Sequence, residues 1–182
     1  MITFNKSNLL TLAAKVEGAF GDKLLGKEEK THYVQFSVKA ADAKALIRFL
    51  KEDPELGFTY FIDLCGVDYL KYPQAMPERF AVVTTLLSPK LGVKVQVRAF
   101  VPAAEPRIAC IGDLFNGALW TEREVWDLYG IEFLGHPDLK RILMPDDYEG
   151  HPLRKDYPLR GRGERGSFPV YHAVPASQAP KD

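Results

Sequence analysis

At 182 residues, with 46% hydrophobic and 26% charged residues, the chain has the size and composition of a soluble globular protein with one core. Lysine plus arginine and aspartate plus glutamate balance at 24 each, so the chain lacks the net positive field that alone holds a protein on nucleic acid or anionic lipid. The two cysteines are isolated and no signal peptide is recognisable, which favours a reducing, cytosolic compartment. Apolar runs such as residues 81–87 are too short to cross a bilayer, so we expect any membrane contact to go through a partner.

The first third of the chain predicts two helices and two strands. Apolar residues at helical spacing over residues 8–21 indicate a helix that ends at a glycine, and residues 31–39 alternate as a strand. A second, amphipathic helix is predicted over residues 40–54, with Asp42 in its first turn and a proline at its end. Residues 58–70 are apolar, aromatic and β-branched, which predicts a buried strand.

A β-hairpin is predicted next. The runs 79–88 and 92–101 flank the turn sequence SPKLG, and alternate positions from 93 to 101 are apolar. The whole order predicts an α+β fold with a small mixed sheet of about four strands and helices on one face. We expect this α+β domain to occupy residues 1–135, and an extended C-terminal segment that wraps a partner subunit to occupy residues 136–182.

A short helix is predicted within residues 111–120, and a better specified helix over residues 122–129. Thr121 and Glu124 have the spacing of a capping box, with Trp120 and Val125 at the staple positions, and Gly130 supplies a C-terminal stop. The charged and aromatic residues of this motif helix are Glu122, Arg123, Glu124, Trp126 and Asp127.

The turn-rich segment after the motif helix offers candidate metal ligands in two histidines, His136 and His151, and three aspartates, Asp138, Asp146 and Asp147. The histidines stand fifteen positions apart, each followed by proline, with no His-x3-His or paired-cysteine spacing. Turn-forming His–Pro units are therefore the favoured interpretation, and we expect no metal ligands in this chain.

Acid–base catalysis is a second hypothesis, because Glu122, Glu124 and Asp127 crowd one short helix. The first two fall in the predicted first turn, where the helix dipole and the cap already explain acidic residues. Glu124 and Asp127, three positions apart, could face one groove. This leaves catalysis open but disfavoured.

Phosphate and nucleic-acid binding are also disfavoured. The GRGERG stretch at 161–166 neither follows a strand nor opens a helix, so it lacks the context of a phosphate-binding loop. The basic stretch 150–166 follows an acidic stretch, 122–149, that would repel nucleic acid. Residues 171–182 resemble a poorly ordered end.

Protein binding suits the C-terminal segment best. It mixes arginine and tyrosine, which are enriched at interface hot spots, with prolines that reduce the entropy lost on ordering. An extended peptide cannot bury Leu153, Tyr157 and Leu159 against itself. From composition alone, packing on a partner and folding back on its own domain are about equally favoured.

Residues 121–158 contain three blocks in order, EREVWDLYGI, GHPDLKRILM and GHPLRKDYP. Together these blocks closely resemble the signature of the 30 kDa subunit, also called the C subunit, of the proton-pumping NADH:quinone oxidoreductase, respiratory complex I. The upstream helices and strands fit the same family at lower detail. Related subunits occur in membrane-bound hydrogenases, formate hydrogenlyases and ferredoxin- or F420-type dehydrogenases, so these stay open as alternatives.

The resemblance implies a non-catalytic structural subunit of the peripheral arm, on the cytoplasmic side of the inner membrane. It implies no cofactor in this chain, whereas the complex uses FMN, iron–sulfur clusters, NADH and quinone. The implied partners are chiefly the D (49 kDa-type) and B (terminal-cluster) subunits, with no nucleic acid. The residues that we expect at the partner interface are His151, Arg154, Lys155, Asp156 and Tyr157. A stand-alone enzyme that uses Glu124, Asp127 and His151 is the contrary hypothesis.

Overall fold

The computed structural model describes residues 6–162 of the chain. The predictions for residues 171–182 and for most of the GRGERG stretch therefore lie outside the described residues. The helices are α1 Lys6–Phe20, α2 Ala40–Glu52 and α3 Ala118–Tyr129, with a 3-10 turn at Gly21–Lys23. The strands are β1 Leu24–Glu29, β2 Tyr33–Lys39, β3 Tyr60–Asp68, β4 Phe80–Ser88, β5 Val93–Val101, β6 Arg107–Ala109 and β7 Glu132–Leu134.

A five-stranded mixed sheet with the order β1-β2-β5-β4-β3 is the centre of the fold. The pair β2–β5 in this sheet is parallel, and the other three pairs are antiparallel. The connection from β2 to β5 runs through α2, β3 and β4. The strands β6 and β7 form a separate parallel pair. The α+β prediction is confirmed, with five strands in the main sheet where the sequence indicated about four.

The helices and the sheet share one hydrophobic core. Val34 and Phe36 of β2, Val95 of β5, Leu46 of α2 and Val125 of α3 all belong to the same buried cluster. Burial on β5 alternates along the strand as its sequence predicted. Side chains from all three helices therefore cover one face of the sheet, as expected.

The edges of the sheet differ from the sequence interpretation. The run at 58–70, predicted as a buried strand, forms β3, which pairs only with β4 and leaves Tyr60 and Ile62 59% and 39% exposed. Its apolar character comes from an inner face covered by α3, while none of the helices described here covers its outer face. The opposite edge, β1, was missed because its sequence LLGKEE carries charges and no alternation.

The start of the motif helix also differs. Residues 111–117 form turns rather than a short helix, and α3 begins at Ala118 with Gly117 as its N-cap residue. Thr121 lies inside the first turn, where its hydroxyl donates to the Ala118 carbonyl at 3.0 Å, so the predicted capping box with Glu124 is wrong. The predicted end at Gly130 is confirmed, with a left-handed φ of 68°.

Among residues 6–162, no helix has both the length and the apolar character that crossing a bilayer requires.

Candidate functional site

The motif helix holds its most strongly bonded side chain, Asp127, close to its C-terminus. One carboxylate oxygen of Asp127, Oδ1, lies 2.6 Å from Nη1 of Arg141. The other oxygen, Oδ2, accepts the backbone N–H groups of Ile142, Leu143 and Met144 at 3.0, 2.8 and 2.9 Å. The carboxylate is fully buried and fixes the first turns of the C-terminal segment against α3.

These contacts keep Asp127 ionised. Burial on its own would raise the pKa of this carboxyl, but the backbone N–H groups of Met144 and Leu143 and the guanidinium of Arg141 outweigh burial and lower the pKa. A carboxylate with this many donors has no lone pair positioned to take a proton from a substrate. Asp127 is therefore a structural anion.

The GHPLR block caps the C-terminus of α3. Helix C-termini leave their last carbonyl groups without intrahelical partners. Here Nδ1 of His151 lies 2.9 Å from the Asp127 carbonyl oxygen, and the backbone N–H of Leu153 donates to the Leu128 carbonyl at 3.1 Å. Nε of Arg154 donates to the Tyr129 carbonyl at 2.6 Å. Three successive carbonyls are thus satisfied by one short stretch.

Gly130 makes this close approach possible. Its φ of 68° favours glycine, and a Cβ at this position would lie 2.4 Å from Nε2 of His151 and 2.6 Å from Nη2 of Arg154. Gly66 of β3 leaves room for the side chain of Tyr129. A Cβ on Gly66 would lie 2.7 Å from the tyrosine ring. The two glycines together allow the helix end to sit between β3 and the C-terminal segment.

A second ion-pair cluster ties the segment to the sheet. Arg79 forms a bidentate contact with Asp68 at the end of β3, with distances of 3.1 and 2.9 Å. Asp68 also accepts the backbone N–H groups of Leu70 and Lys155 at 2.9 and 2.8 Å. Arg79 in turn reaches Asp156 at 2.9 Å. The KDY block is thereby held on residues more than seventy positions upstream.

The charges in this cluster stabilise each other. Burial raises the pKa of Asp68, but the hydrogen bonds from Arg79 and from the backbone of Lys155 and Leu70 outweigh burial and lower it. The same guanidinium lowers the pKa of Asp156, and its own pKa is raised, chiefly by the hydrogen bonds that it donates to Asp68. The cluster is therefore fully ionised at neutral pH.

His151 and Arg154 are affected mainly by burial. Burial lowers the pKa of His151, and the neighbouring cations Arg154 and Arg141 lower it further. A neutral imidazole that donates from Nδ1 to the Asp127 carbonyl fits this environment. Burial also lowers the pKa of Arg154, whose guanidinium stacks 5.3 Å from the centre of the Phe80 ring.

Glu122, which the sequence placed in the first turn of the motif helix, is fully buried. Its Oε1 accepts the backbone N–H of Ile111 at 2.7 Å, and its Oε2 has no hydrogen-bond partner among residues 6–162. Burial raises the pKa of Glu122, and the pKa of the adjacent Cys110 thiol is raised to about 12, chiefly by burial. Glu122 therefore fixes the turn 111–117 against α3.

The other motif-helix residues have structural or surface positions. Nε and Nη2 of Arg123 donate to the carbonyl groups of Lys140 and Arg141 at 3.0 and 2.9 Å. Trp126 is partly buried against the core. Glu124 is exposed, whereas Asp127 is buried, so these two carboxylates do not share a groove as the catalytic hypothesis required.

The predicted partner-binding residues therefore have intramolecular contacts of their own. The contacts of His151, Arg154 and Asp156 are described above. The hydroxyl of Tyr157 lies 2.5 Å from that of Tyr148. The ammonium group of Lys155 has no hydrogen bond or ion pair within residues 6–162. The described part of the C-terminal segment, residues 136–162, thus folds back on its own domain, and its contact with a partner stays a prediction.

The sequence did not identify Asp68, Arg79 and Arg141 as site residues. The contacts that tie them to other parts of the fold join residues 11 to 87 positions apart, so no local spacing indicated them. The candidate metal ligands are not brought together either. Nε2 of His136 lies 3.0 Å from the Leu119 carbonyl oxygen, and in the described part of the chain no three His, Cys, Asp or Glu side chains are placed to hold a metal ion.

Comparisons with known proteins point to one family. The family described as "Respiratory-chain NADH dehydrogenase, 30 Kd subunit" matches residues 36–163. A relative from Ralstonia nicotianae, named as the C subunit of NADH-quinone oxidoreductase, is 43% identical over 169 residues, which is 91% of this chain and 84% of the relative. A relative of the same name from Sinorhizobium medicae is 45% identical over 150 residues, 82% of this chain and 72% of the relative.

Two solved structures share the fold. A trypsin-resistant fragment (1–134) of Nqo5 is 36% identical, with a TM-score of 0.63, and the match covers 71% of this chain and 98% of the fragment. A chain of a membrane-bound sulfane sulfur reductase, described as an archaeal respiratory membrane complex, is 22% identical, with a TM-score of 0.67. That match covers 82% of this chain and 85% of the other, and at this identity it shows the fold alone.

Proposed function

The chain belongs to the family of the 30 kDa subunit of respiratory-chain NADH dehydrogenase, and from this membership we propose that it is a non-catalytic structural subunit of NADH:quinone oxidoreductase. Its place is the peripheral arm of the complex, where other subunits carry electrons from NADH to quinone. Two relatives more than 40% identical over most of this chain are named as the C subunit of that enzyme.

One observation carries the structural role. The charged groups of the signature, Asp127, Arg141, His151 and Arg154, all bond to the backbone or side chains of their own chain. These bonds fix the C-terminal segment on α3 and leave the groups in states unsuited to proton transfer, since the carboxylate of Asp127 has a lowered pKa. A signature used in this way supports a rigid docking element rather than a catalytic centre.

The contrary hypothesis of a stand-alone enzyme loses its geometric basis. It needs Glu124, Asp127 and His151 to converge on a substrate, but Glu124 is exposed and the Asp127 carboxylate is buried beneath the backbone of residues 142–144. The alternative assignments, to hydrogenases, formate hydrogenlyases or other dehydrogenases, are less well supported than the assignment to the NADH enzyme. The relatives are named for NADH and quinone, while the sulfane sulfur reductase chain shares only the fold.

The cofactors and partners of the complex follow from the same premise. FMN and the iron–sulfur clusters belong to other subunits, and this chain contributes no ligand to them. Its neighbours are chiefly the D subunit, along which the C-terminal segment 136–182 runs, and the B subunit that holds the terminal cluster. The chain lies on the cytoplasmic side of the inner membrane and is attached to it through the complex.

A tagged pulldown from gently solubilised native membranes tests the proposal. We expect the tagged chain to recover flavin- and cluster-bearing subunits, and the eluate to reduce quinone with NADH, whereas the chain purified alone has no such activity. Recovery of a nickel hydrogenase would keep the fold and change the complex. Recovery of the chain alone would contradict the structural role.

A further inference from the structure

The segment that follows α3 leaves large apolar side chains in solvent. Leu143 is 60% exposed, Leu153 is 45% exposed and Leu159 is 97% exposed. His151 and Arg154 of the same segment, in contrast, bond within the chain. Exposed apolar side chains are therefore available to an interface on this segment.

A groove of about 440 Å³ lies among these residues. Two stretches of chain line it: Met144 and Tyr148 come from the first, and Pro152, Leu153, Tyr157 and Leu159 come from the second. The hydroxyl groups of Tyr148 and Tyr157 contact each other, and a Cβ on Gly150 would lie 3.2 Å from the Tyr157 ring, so the two stretches are closely packed. The groove is thus a concavity with a mainly apolar lining, to which Arg154 and Lys155 add polar groups.

Opposite charges accompany the two stretches. The first carries Asp146, Asp147 and Glu149, which are exposed and have no ion-pair partner within residues 6–162. The second carries Lys155 and Arg160, which are exposed and whose side chains also have no ion pair among the described residues. The acid of this stretch, Asp156, is paired with Arg79. The unpaired charges next to the lining residues are therefore acidic on the first stretch and basic on the second.

We propose that this groove receives an apolar side chain of the neighbouring subunit, on a stretch with basic residues towards Asp146, Asp147 and Glu149 and acidic residues towards Lys155 and Arg160. The inference rests on the proposed function, which places this segment at a subunit interface. Buried apolar anchors dominate the affinity of an interface, whereas complementary charges at the rim fix its orientation. The arrangement therefore specifies both the position and the direction of the partner stretch.

A second copy of this chain would also offer opposite charges, if two grooves met in antiparallel orientation. The experiment must therefore distinguish a homodimer from a different subunit. A photo-crosslinking amino acid in place of Leu159 in the full chain, expressed in cells that assemble the complex, provides that distinction. We expect the cross-linked peptide to come from another subunit and to carry an apolar residue between a basic and an acidic group. A cross-link to a second copy, or to a peptide without this pattern, overturns the proposal.

Two variants measure the contributions of the groove and the charges. Leu159→Ser combined with Leu153→Ser removes the exposed apolar wall, and the combined Lys155→Glu and Arg160→Glu reverses the basic side. Leu10→Ser on α1 is the matched control, because this leucine is 56% exposed and lies in a different part of the chain. We expect the leucine variant to retain roughly tenfold less of the other subunits in a tagged pulldown, the size expected for loss of a buried anchor. The charge-reversal variant should lose subunits at lower salt than the wild type does.

These outcomes separate the two proposals. A wild-type chain that recovers no other subunit contradicts the proposed function itself. A wild-type chain that recovers them, with both variants matching wild type and Leu10→Ser, leaves the function in place and overturns the groove as the docking point. Thermal melts of the purified variants test whether unfolding causes a loss of subunits. We expect unchanged melts, because all four positions substituted in the two double variants are exposed.

Discussion

Nη1 of Arg141 lies 2.6 Å from Oδ1 of Asp127, and this pair joins the motif helix to the segment that follows it. Only 12% of the Arg141 side chain is exposed and none of the Asp127 side chain is. Both residues also bond to backbone groups: Arg141 donates to the carbonyl groups of Tyr148 and Gly150, and Asp127 accepts three backbone N–H groups. The pair therefore organises a whole turn rather than a single contact.

Asp127→Asn should destabilise the fold by about 3 kcal/mol, because it leaves the buried Arg141 without its counter-charge. It also replaces an oxygen that accepts hydrogen bonds by an amide group that donates them. Urea denaturation measures the loss. Asp138→Asn is the control, since Asp138 pairs with Lys140 at the surface, and it should change stability little. Equal stabilities for the two variants would mean that the Asp127 cluster contributes no more than a surface ion pair.

Gly130→Ala tests the packing of the GHPLR block on the helix end. The substitution strains the left-handed backbone by about 1 kcal/mol and forces His151 and Arg154 away. Loss of the His151 hydrogen bond costs about 1 kcal/mol, and loss of the hydrogen bond from the charged Arg154 costs about 2 kcal/mol. Gly135→Ala is a close control, because Gly135 also has a positive φ, 84°, but a Cβ there would meet nothing within 4 Å. Trypsin should cleave at Arg154 faster in the Gly130 variant than in the Gly135 variant. Equal cleavage rates would indicate that the block is not held by this contact.

The strands and helices that pack by simple periodicity could be predicted from the sequence. The β4–β5 hairpin followed from its turn and its alternation, and α2 followed from its apolar stripe. The edge strand β1 could not be found this way, because an edge strand that is exposed and charged has no hydrophobic pattern. Local patterns therefore predict elements that face the core, and fail where the sheet ends.

The site was harder to predict because its bonds connect distant parts of the chain. The blocks from 121 to 158 were grouped by their family resemblance, which did not indicate that they pack on one another or that Asp68 and Arg79 hold them. The acid at Glu122 was explained by the helix dipole and the cap, yet its carboxylate accepts a hydrogen bond from the backbone of Ile111. Only the tertiary fold brings these groups together, so sequence spacing could not reveal them.

Thr121→Ala should have almost no effect on stability, less than about 0.5 kcal/mol, because Thr121 lies within the helix and is not its N-cap. Had the sequence-based capping box been present, the loss would be roughly 1 kcal/mol. A thermal melt distinguishes the two values. A loss of the larger size would mean that α3 begins at Thr121 in solution.

Glu122→Gln should alter the dependence of stability on pH. The pKa of Glu122 is raised in the folded protein, chiefly by burial, so the folded state holds the proton more tightly than the unfolded state. Its contribution to stability is fully present below the ordinary value of 4.5 and is lost as pH rises through the folded pKa. The glutamine variant should therefore lose less stability than wild type as pH rises above 4.5.

Denaturation curves for wild type and Glu122→Gln across pH 4 to 9 measure this difference. The charged or titratable groups that act on Glu122 are Cys110, His136 and Lys44, and all three are unchanged in the variant. Glu124→Gln, two positions along the same helix and exposed, is the control. A Glu122 variant with the same pH profile as wild type would show that folding does not raise the pKa of this carboxyl.

Alanine variants of Arg154 and Lys155 should affect different properties, the first the stability of the chain and the second its association with the complex. Nε of Arg154 caps the Tyr129 carbonyl, so Arg154→Ala should lower the free energy of unfolding by about 2 kcal/mol, the effect of losing a hydrogen bond from a charged donor.

Lys155 bonds to Asp68 only through its backbone N–H, which Lys155→Ala retains, so that variant should keep the stability of the wild type. We expect it instead to weaken association with the complex, since its ammonium group has no ion pair within residues 6–162. Denaturation of the purified chains, together with a tagged pulldown at two salt concentrations, measures both effects. If Arg154→Ala proved as stable as Lys155→Ala, the capping of α3 by this segment would not contribute to folding.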